Sequence, residues 1–178
     1  EHDNLLDQYG DLNIQLGEKR AKCDLYSISL LSENAHIDNN IVVKHASPQC
    51  ASSQIFKGVF NDSSKGVFDS CVLVERGAQK TIARQKNNNI LLSDYASINS
   101  NPQLEIFADD VECVHGSTTG QLDNSALFYL QSRGLPKILA NNILLTAFLC
   151  DVIEKIPDRH VKARVLLDLN KKLGVDLN

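Results

Sequence analysis

The sequence predicts a mainly β protein, with a parallel β-solenoid over residues 1–120 followed by an α-helical segment over residues 121–178. Three observations indicate this fold. Short extended segments rich in Val, Ile, Leu and Phe recur from about residue 11 to residue 115. Several of these segments repeat one plan at irregular spacing. After Gly120 the period of the apolar residues changes from two toward about 3.6, the period of an α-helix.

The extended segments are predicted strands because β-branched and aromatic side chains favour the pleated conformation. Asn, Ser, Asp and Gly separate the segments, and these residues favour turns. In chain order, the segments are DLNIQL, CDLYSISLL, NNIVVKH, SQIFKGVF, GVFDSCVLV, NNNILLS and QLEIFADDVECVH.

A repeat runs through three of the segments. An apolar triplet followed by charge and a small residue occurs in VLVERGA from residue 72, ILLSDYA from 90 and LEIFADD from 104. The offsets of 18 and 14 residues differ, but stacked coils of a solenoid produce repeats of this kind. A β-sandwich remains an alternative, although its hairpin signals Asn-Gly and Asp-Gly are absent. The asparagine triplet at 87–89 is expected at a solenoid corner, where stacked amides can hydrogen-bond between coils.

Three helices are predicted in the C-terminal segment. The first is capped by Asp123 and runs through Arg133 to a stop at Gly134. The second starts at Pro136, in the first helical position, and ends at Pro157, and the third ends before Gly174. The apolar residues expected on the buried faces are Ala126, Leu127 and Leu130 in the first helix, Ile138, Leu145, Leu149, Val152 and Ile156 in the second, and Val161, Val165, Leu166, Leu169 and Leu173 in the third.

Composition excludes several classes of function. The chain of 178 residues has about the length of one domain, and its formal net charge is -4, with no basic run that would grip a phosphate backbone. Nucleic acid is therefore not an expected partner. The apolar run ILLTAFL at 143–149 is far shorter than the roughly 18 residues that cross a bilayer, and no basic segment leads into an apolar one at the N-terminus. Neither membrane insertion nor secretion is expected.

The cysteines indicate a reducing location. Their spacings match no disulfide framework and no Cys-x-x-Cys zinc pattern, so a cytoplasmic protein is expected. The chain begins at Glu1 and contains no Met, and we therefore expect a fragment of a longer protein. The five cysteines are Cys23, Cys50, Cys71, Cys113 and Cys150.

Three catalytic patterns receive little support. ERGAQKT ends in Lys and Thr like a phosphate-binding loop, but Gln79 stands where that loop requires Gly. Asp109 and Asp110 suggest a glycosidase pair, yet neighbours on a strand point to opposite faces. No Gly-x-Ser-x-Gly nucleophile elbow occurs. A β-solenoid carbohydrate-active enzyme that uses the two aspartates is kept as one alternative function.

The stretch VECVHGSTTG at 111–120 holds the best candidate for metal chemistry. If it is extended, Val111, Cys113 and His115 share one face. Thiolate and imidazole both donate well to iron, zinc or copper, but zinc or a cluster normally requires four ligands. The missing ligands would have to come from sulfide, from elsewhere in the chain or from a partner. The alternative is that Cys113 fills core space and His115 hydrogen-bonds a turn.

Four segments carry a resemblance to a known family. They are KGVFNDSSKGVF (57–68), GAQKTIARQKNNNILLSDYA (77–96), PQLEIFADDVECVHGSTTGQLD (102–123) and ALFYLQSRGL (126–135). In this order and spacing, the chain resembles the SufB/SufD family of iron-sulfur cluster assembly proteins over nearly its whole length. The elements AQKT, NNNILLS and PQLEIFADDV are similar to the SufD branch of the family more than to the SufB branch.

The resemblance implies a right-handed parallel β-helix with helical segments at its ends, in agreement with the fold that the pattern predicts. It also implies a scaffold subunit that is not itself an enzyme. Such a subunit pairs with SufB through the β-helix and binds the ATPase SufC through the C-terminal helices, here from Pro136 to Leu173. The complex builds a nascent iron-sulfur cluster and passes it to acceptor proteins, and ATP hydrolysis belongs to SufC.

The resemblance also assigns roles to the candidate ligands. His115 and Cys113 match the His and the nearby Cys of a Cys-x-His-Gly motif at the interface with SufB, where a transient cluster is shared with a SufB cysteine. His115 would donate a ring nitrogen to iron, or hold a persulfide or a partner side chain. Cys113 is a ligand or a structural thiol, and Val111 on its face favours the structural role. No cofactor is expected in the isolated chain.

The remaining histidines and cysteines are expected to be structural. His36 and His45 are predicted to hydrogen-bond at solenoid corners, and Cys23, Cys50 and Cys71 are read as core or surface residues. A solenoid leaves unpaired strand edges, so the isolated chain is expected to dimerise with itself when SufB is missing. A homodimeric interaction module that binds no metal is the second alternative function.

Overall fold

The structure, a computed structural model, describes residues 7–173. Within this range eight strands precede three helices. The strands are β1 (Asp7–Leu16), β2 (Lys22–Leu31), β3 (His36–His45), β4 (Ala51–Phe60), β5 (Lys65–Val74), β6 (Thr81–Leu91), β7 (Ser97–Ile106) and β8 (Val111–Gly120). The helices are α1 (Asn124–Ser132), α2 (Lys137–Ile153) and α3 (Arg159–Lys172). The chain forms two compact units, and the boundary between them lies between Gly120 and Gln121.

The strands form two parallel sheets. The first sheet has the order β1-β3-β5-β7 and the second has the order β2-β4-β6-β8, so successive strands alternate between the sheets. Every pairing is parallel. One coil therefore contains two strands, and four coils stack into a β-solenoid. The predicted fold class is confirmed, and the antiparallel sandwich is excluded.

The register explains the irregular repeat. Val72 on β5 and Leu104 on β7, which begin VLVERGA and LEIFADD, are register partners in the first sheet. ILLSDYA begins at Ile90, near the end of β6 in the second sheet. The offsets of 18 and 14 residues are therefore half-coils on opposite sheets, and the true repeat is one full coil. Hydrogen bonds between equivalent corner positions span 29 to 31 residues.

The corners turn without Asn-Gly or Asp-Gly pairs. Arg20, Gln49 and Lys80 each adopt a left-handed backbone, and they occupy equivalent corners of successive coils. The amide of Gln49 donates to the carbonyl of Gln79 at 2.8 Å, so one corner bonds the next. The expected corner position of the asparagine triplet at 87–89 is wrong, because these residues lie within β6. Their side chains do bond between strands, since Asn88 Nδ2 donates to Thr118 Oγ1 at 2.6 Å.

One predicted segment contains two strands. QLEIFADDVECVH was expected to be continuous, but β7 ends at Ile106 and β8 begins at Val111. Asp109 and Asp110 form the bend between them and lie on no strand. The corner between β7 and β8 was therefore not predicted from the sequence, because the apolar Phe107 and Ala108 continue the strand-like pattern into the turn.

The core of the solenoid lies between the sheets. One buried cluster contains Val72, Val74 and Ala83, and another packs Phe56 against Phe68 with ring centroids 4.8 Å apart. Because successive side chains on a strand alternate between faces, β5 and β6 each show buried and less buried residues in turn. This alternation places every second residue of β8 on the interior side of the last coil.

The helical unit follows the predicted boundaries closely. Asp123 caps α1 by accepting from the amides of Ser125 and Ala126, and Gly134 follows the helix with φ 92°. Pro136 is the N-cap of α2 and not its first residue, and α2 ends at Ile153, before Pro157. The third helix was predicted to end before Gly174, and α3 ends at Lys172 with Leu173 as its C-cap.

Most of the predicted apolar faces are buried or half-buried. Leu145, Leu149 and Val152 are fully buried in α2, and Leu169 is buried in α3. Ile138 differs, since 71% of its side chain is exposed, and Val161 is also exposed. Among the described residues, no helix is both long enough and apolar enough to span a membrane.

Candidate functional site

VECVHGSTTG forms one strand, β8, at the end of the second sheet. β8 pairs with β6, with Cys113 beside Ala83 and His115 beside Gln85. Ala83 and Gln85 are both buried interior residues, so Cys113 and His115 belong to the interior columns of the solenoid. Because no further described strand covers β8, these columns open at the last coil.

Cys113 is half-buried at the apolar end of β8. Together with Val111 it packs against the core cluster that contains Val72 and Ala83. Burial raises the pKa of the Cys113 thiol, and a hydrogen bond with the backbone of Ala83 opposes that shift in part. A raised pKa keeps the sulfur protonated at neutral pH, whereas metal binding and nucleophilic attack both require the thiolate. The position therefore favours the structural role.

His115 is exposed on the same face, two residues further along β8. Two residues of strand separate the α-carbons by about 7 Å, which leaves room for one bridging atom or a partner group between the side chains. The neighbouring Val114, on the opposite face, is 58% exposed. His115 is thus an accessible imidazole at the open end of a packed column.

The described part of the chain does not supply a complete metal site. Between residues 7 and 173, no group of three or more His, Cys, Asp or Glu side chains is arranged to hold a metal ion. Cys113 and His115 are two donors, and a tetrahedral iron or zinc centre uses four. Any cluster at this position would need further ligands from sulfide, from residues outside 7–173 or from another chain.

A buried polar network lies beneath His115, and the sequence analysis missed it. Gln85 Nε2 donates to Gln54 Oε1 at 3.3 Å and to Ser70 Oγ at 2.5 Å. Nearer the end of β8, the hydroxyl of Ser100 bonds Ser117 Oγ at 2.8 Å. The available signal was the polar alternation at residues 85, 87 and 89, where amide side chains occupy the interior positions of a strand.

The two aspartates lie in a bend and not on a strand, so the alternation of strand faces expected from the sequence does not apply to them. Asp109 and Asp110 are exposed in the bend between β7 and β8. The backbone amide of Asp110 donates to Gln79 Oε1 at 2.9 Å, and its carbonyl accepts from the amide of Lys80 at 2.5 Å. Gln79 and Lys80 are therefore corner residues that bond the next coil.

The other predicted structural residues occupy the interior or the edge of the solenoid. His45 is fully buried at the end of β3, its Nε2 lies 2.9 Å from Ser52 Oγ, and burial lowers its pKa. His36 makes an edge contact with the ring of Tyr9 at 6.4 Å. Cys50 is buried, with its thiol 3.2 Å from the carbonyl of Glu18.

Two further cysteines are also partly shielded. Cys23 on β2 and Cys71 on β5 are half-buried, and burial is the main cause that raises the pKa of each thiol. The negative charges of Asp24 and Glu105 raise these pKa values further. Neither position favours a reactive thiolate.

The helical unit has an apolar groove of its own. A cavity of about 400 Å³ is lined by Leu139, Ile143 and Ala147 on α2 and by Asn170 on α3. Cys150 at its edge is exposed and unpaired. The groove is an apolar surface on the helical segment that the family resemblance implies for SufC binding.

The fold defines the chain as a parallel β-solenoid protein with a C-terminal helical unit. Residues 7–148 match the family model described as "SUF system FeS cluster assembly, SufBD core domain". The chain belongs to this family. The family resemblance predicted from the four sequence segments is thereby confirmed.

Several curated proteins are similar to the chain. The iron-sulfur cluster assembly protein SufD of Escherichia coli is 33% identical over 159 residues, which cover 89% of this chain and 38% of that protein. The SufBD family protein slr0076 of Synechocystis is 34% identical over 155 residues, 87% of this chain and 34% of that protein. SufD of Plasmodium falciparum is 33% identical over 156 residues, 86% of this chain and 11% of that protein. The chain thus spans less than two fifths of the length of each of these relatives.

Proposed function

We propose that this chain is part of a scaffold subunit that helps to assemble iron-sulfur clusters and makes or breaks no substrate bond alone. Membership of the SufBD core family supports the proposal, as do relatives named for cluster assembly. The transient cluster is cargo of the complex and not a resident cofactor of this chain. Five free cysteines fit a reducing compartment such as the cytoplasm.

One observation carries the proposal. An accessible imidazole, His115, lies at the open end of the solenoid, while the described residues provide no complete ligand set around it. A neutral imidazole nitrogen is a good donor to iron, and an incomplete site suits a cluster that must leave again. A partner cysteine and inorganic sulfide would complete the coordination.

The two candidate ligands receive different roles. His115 donates a ring nitrogen to iron, or holds a persulfide or a partner side chain at the interface. Cys113 acts as a structural thiol, because its burial and its raised pKa disfavour the thiolate. A serine at position 113 would preserve the size of the side chain but would place a hydroxyl against Val72 and Ala83.

The partners are assigned to separate surfaces. SufB pairs with the solenoid, with the exposed strand β8 and His115 at the shared site. SufC binds the helical unit, where the groove beside Leu139 and Ile143 and the exposed Ile138 provide apolar surface. In this arrangement SufC hydrolyses ATP, and the contribution of this chain to the chemistry is the ligand His115.

The experiment is an anaerobic co-purification of the full-length protein with its SufB and SufC partners. Iron and acid-labile sulfide are measured per complex for the wild type and for His115→Ala. We expect His115→Ala to form the complex but to lose most of its cluster. His36→Ala is the matched control, because it removes a histidine that contacts Tyr9 far along the chain from β8, and it should retain cluster.

Two results would argue against the assignment. Unchanged iron and sulfide in His115→Ala would show that β8 has only a structural role and that the ligands lie in the partner. Loss of complex formation in His115→Ala would instead give the histidine an interface role only. Cys113→Ala distinguishes the two roles considered for Cys113. If the thiol is structural, the cluster content per folded complex stays unchanged, and if it is a ligand, the cluster content falls.

A further inference from the structure

A buried amide lies directly beneath the candidate ligand. Gln85 on β6 is the register partner of His115 on β8, one coil below it. The Gln85 side chain is only 1% exposed, and its amide oxygen Oε1 is buried without a hydrogen-bond partner. Because solvent cannot reach this oxygen, a donor from the protein itself is expected to satisfy it.

The other end of the same amide is already held. Gln85 Nε2 donates to Gln54 Oε1, one coil further below, and to Ser70 Oγ on the facing sheet. The first bond holds the nitrogen toward the lower coil and the second holds it toward the facing strand of the same coil, so neither bond uses the oxygen. At this register position the last coil contributes His115, whose neutral ring always carries one N–H donor.

We propose that Gln85 is the positioning residue of His115. Its Oε1 accepts a hydrogen bond from one ring N–H of His115 and thereby fixes the tautomer and the orientation of the imidazole. The lone pair of the second ring nitrogen then faces the open end of the solenoid. Histidines that bind metals nearly always donate their other N–H to an oxygen acceptor, and such acceptors control ligand strength.

The use of this bond in cluster binding depends on the proposed function, but formation of the bond would require only the folded chain. It can therefore be tested without iron, by NMR on the 178-residue chain labelled with ¹⁵N at histidine, at a pH well above the ordinary imidazole pKa of about 6.5. The signals of His115 are identified by their loss in His115→Ala. The readouts are the exchange of the ring N–H and the protonation pattern of the two ring nitrogens.

Three variants are compared with the wild type. The wild type should show one slowly exchanging N–H on His115, with one protonated and one unprotonated nitrogen. Gln85→Met keeps the length of the side chain but removes the acceptor, so the N–H should exchange too fast to observe. Gln85→Glu keeps an oxygen acceptor and should retain the signal. Asn89→Ala removes another buried amide of β6, four residues away, and should behave as the wild type.

The outcomes are decisive in both directions. The absence of a protected His115 N–H in the wild type overturns the proposal, and so does a folded Gln85→Glu protein that lacks the signal. A signal that survives in folded Gln85→Met also overturns it. Far-UV circular dichroism reports folding, and the wild-type result stands alone if Gln85→Met does not fold.

The cluster assay separates this inference from the proposed function. Iron affinity of the full complex should fall about 10–100-fold in Gln85→Met if His115 is a ligand, as for other residues that orient a metal-binding histidine. A protected N–H together with unchanged cluster in His115→Ala keeps the hydrogen bond and removes the proposed function. An unprotected N–H together with cluster loss in His115→Ala removes the hydrogen bond and keeps the proposed function.

Discussion

The buried residue His45 makes the stability of the solenoid depend on pH. Its ring is fully buried, and Nε2 bonds Ser52 Oγ while Nδ1 has no partner. Burial lowers the pKa of His45, because the charged imidazolium would lose its hydration inside the protein. The folded state therefore binds this proton less readily than the unfolded state.

A pH dependence of stability follows from the lowered pKa of His45. Above the unfolded-state pKa of about 6.5 the ring is neutral in both states, and below it the unfolded chain binds the extra proton. The free energy of unfolding should therefore fall as pH decreases from about 6.5 toward the folded-state pKa, by at most about 1.4 kcal/mol per pH unit from this group. Urea unfolding at several pH values measures it.

His45→Gln should flatten this dependence while keeping a side chain that can bond Ser52. The matched control is His160→Gln, which removes an exposed histidine from α3 and should leave the slope of the wild type in place. Equal slopes for the wild type and His45→Gln would contradict the prediction.

Cys113 and His115 illustrate the limit of residue-level reasoning about the site. Their spacing along the chain correctly places them on one face of a strand, because side chains alternate with a period of two. Spacing does not reveal that Cys113 packs against Val72 and Ala83 while His115 remains exposed. That difference depends on which residues of the other strands pack against each position of β8, and no local pattern records it.

At the scale of elements, the strands stack so closely that one aromatic ring requires two glycines. The Phe60 ring at the end of β4 is 1% exposed. A β-carbon built on Gly66 of β5 would lie 2.7 Å from this ring, and one built on Gly58 would lie 2.5 Å from it. Real side-chain carbons do not approach so closely, so the ring or a strand would have to move.

Gly66→Ala should therefore destabilise the protein by about 1–3 kcal/mol, the usual cost of overpacking a well-packed core. Gly77→Ala is the matched control, because no heavy atom lies within 4 Å of its added carbon and its backbone requires no positive φ. Urea unfolding of both variants measures the difference. If Gly66→Ala unfolds at the same urea concentration as Gly77→Ala, the ring is less confined than its contacts indicate.

The helices were easier to predict than the strands. Asp123 and Asp158 cap α1 and α3 through bonds to amides two and three residues ahead, so each start is encoded within a few residues. The corner between β7 and β8 lacked such a local signal. Asp110 turns there because Gln79 and Lys80 of the preceding coil bond its backbone.

At the scale of the whole molecule, the solenoid has strand edges that the described residues leave unpaired. β8 ends the second sheet, and its residues from Val114 to Gly120 are exposed. Unpaired N–H and C=O groups on an edge strand favour pairing with another strand. A second copy of the chain presents the same unpaired edge.

We expect the isolated chain to form a concentration-dependent dimer, measured by sedimentation equilibrium. Val114→Lys with Thr118→Lys should shift the chain toward monomer, because charges on an edge strand oppose pairing. Ala163→Lys with Leu167→Lys adds the same charge to exposed positions of α3 and should not. A monomer at every concentration would exclude this contact, as would an equal effect of both lysine pairs.

The family was recognised from the resemblance of four sequence segments. The fold class and the helix starts follow from the sequence by itself, because strand alternation, capping and turn preferences act between residues close in the chain. The coil register was decided only by the tertiary structure. Val72 meets Leu104, and Gln85 lies beneath His115, because corners and cores align residues about one coil apart. The sequence therefore determined which side chains point inward, and the stacking of the coils decided which of them are buried, which are exposed and which lie next to one another.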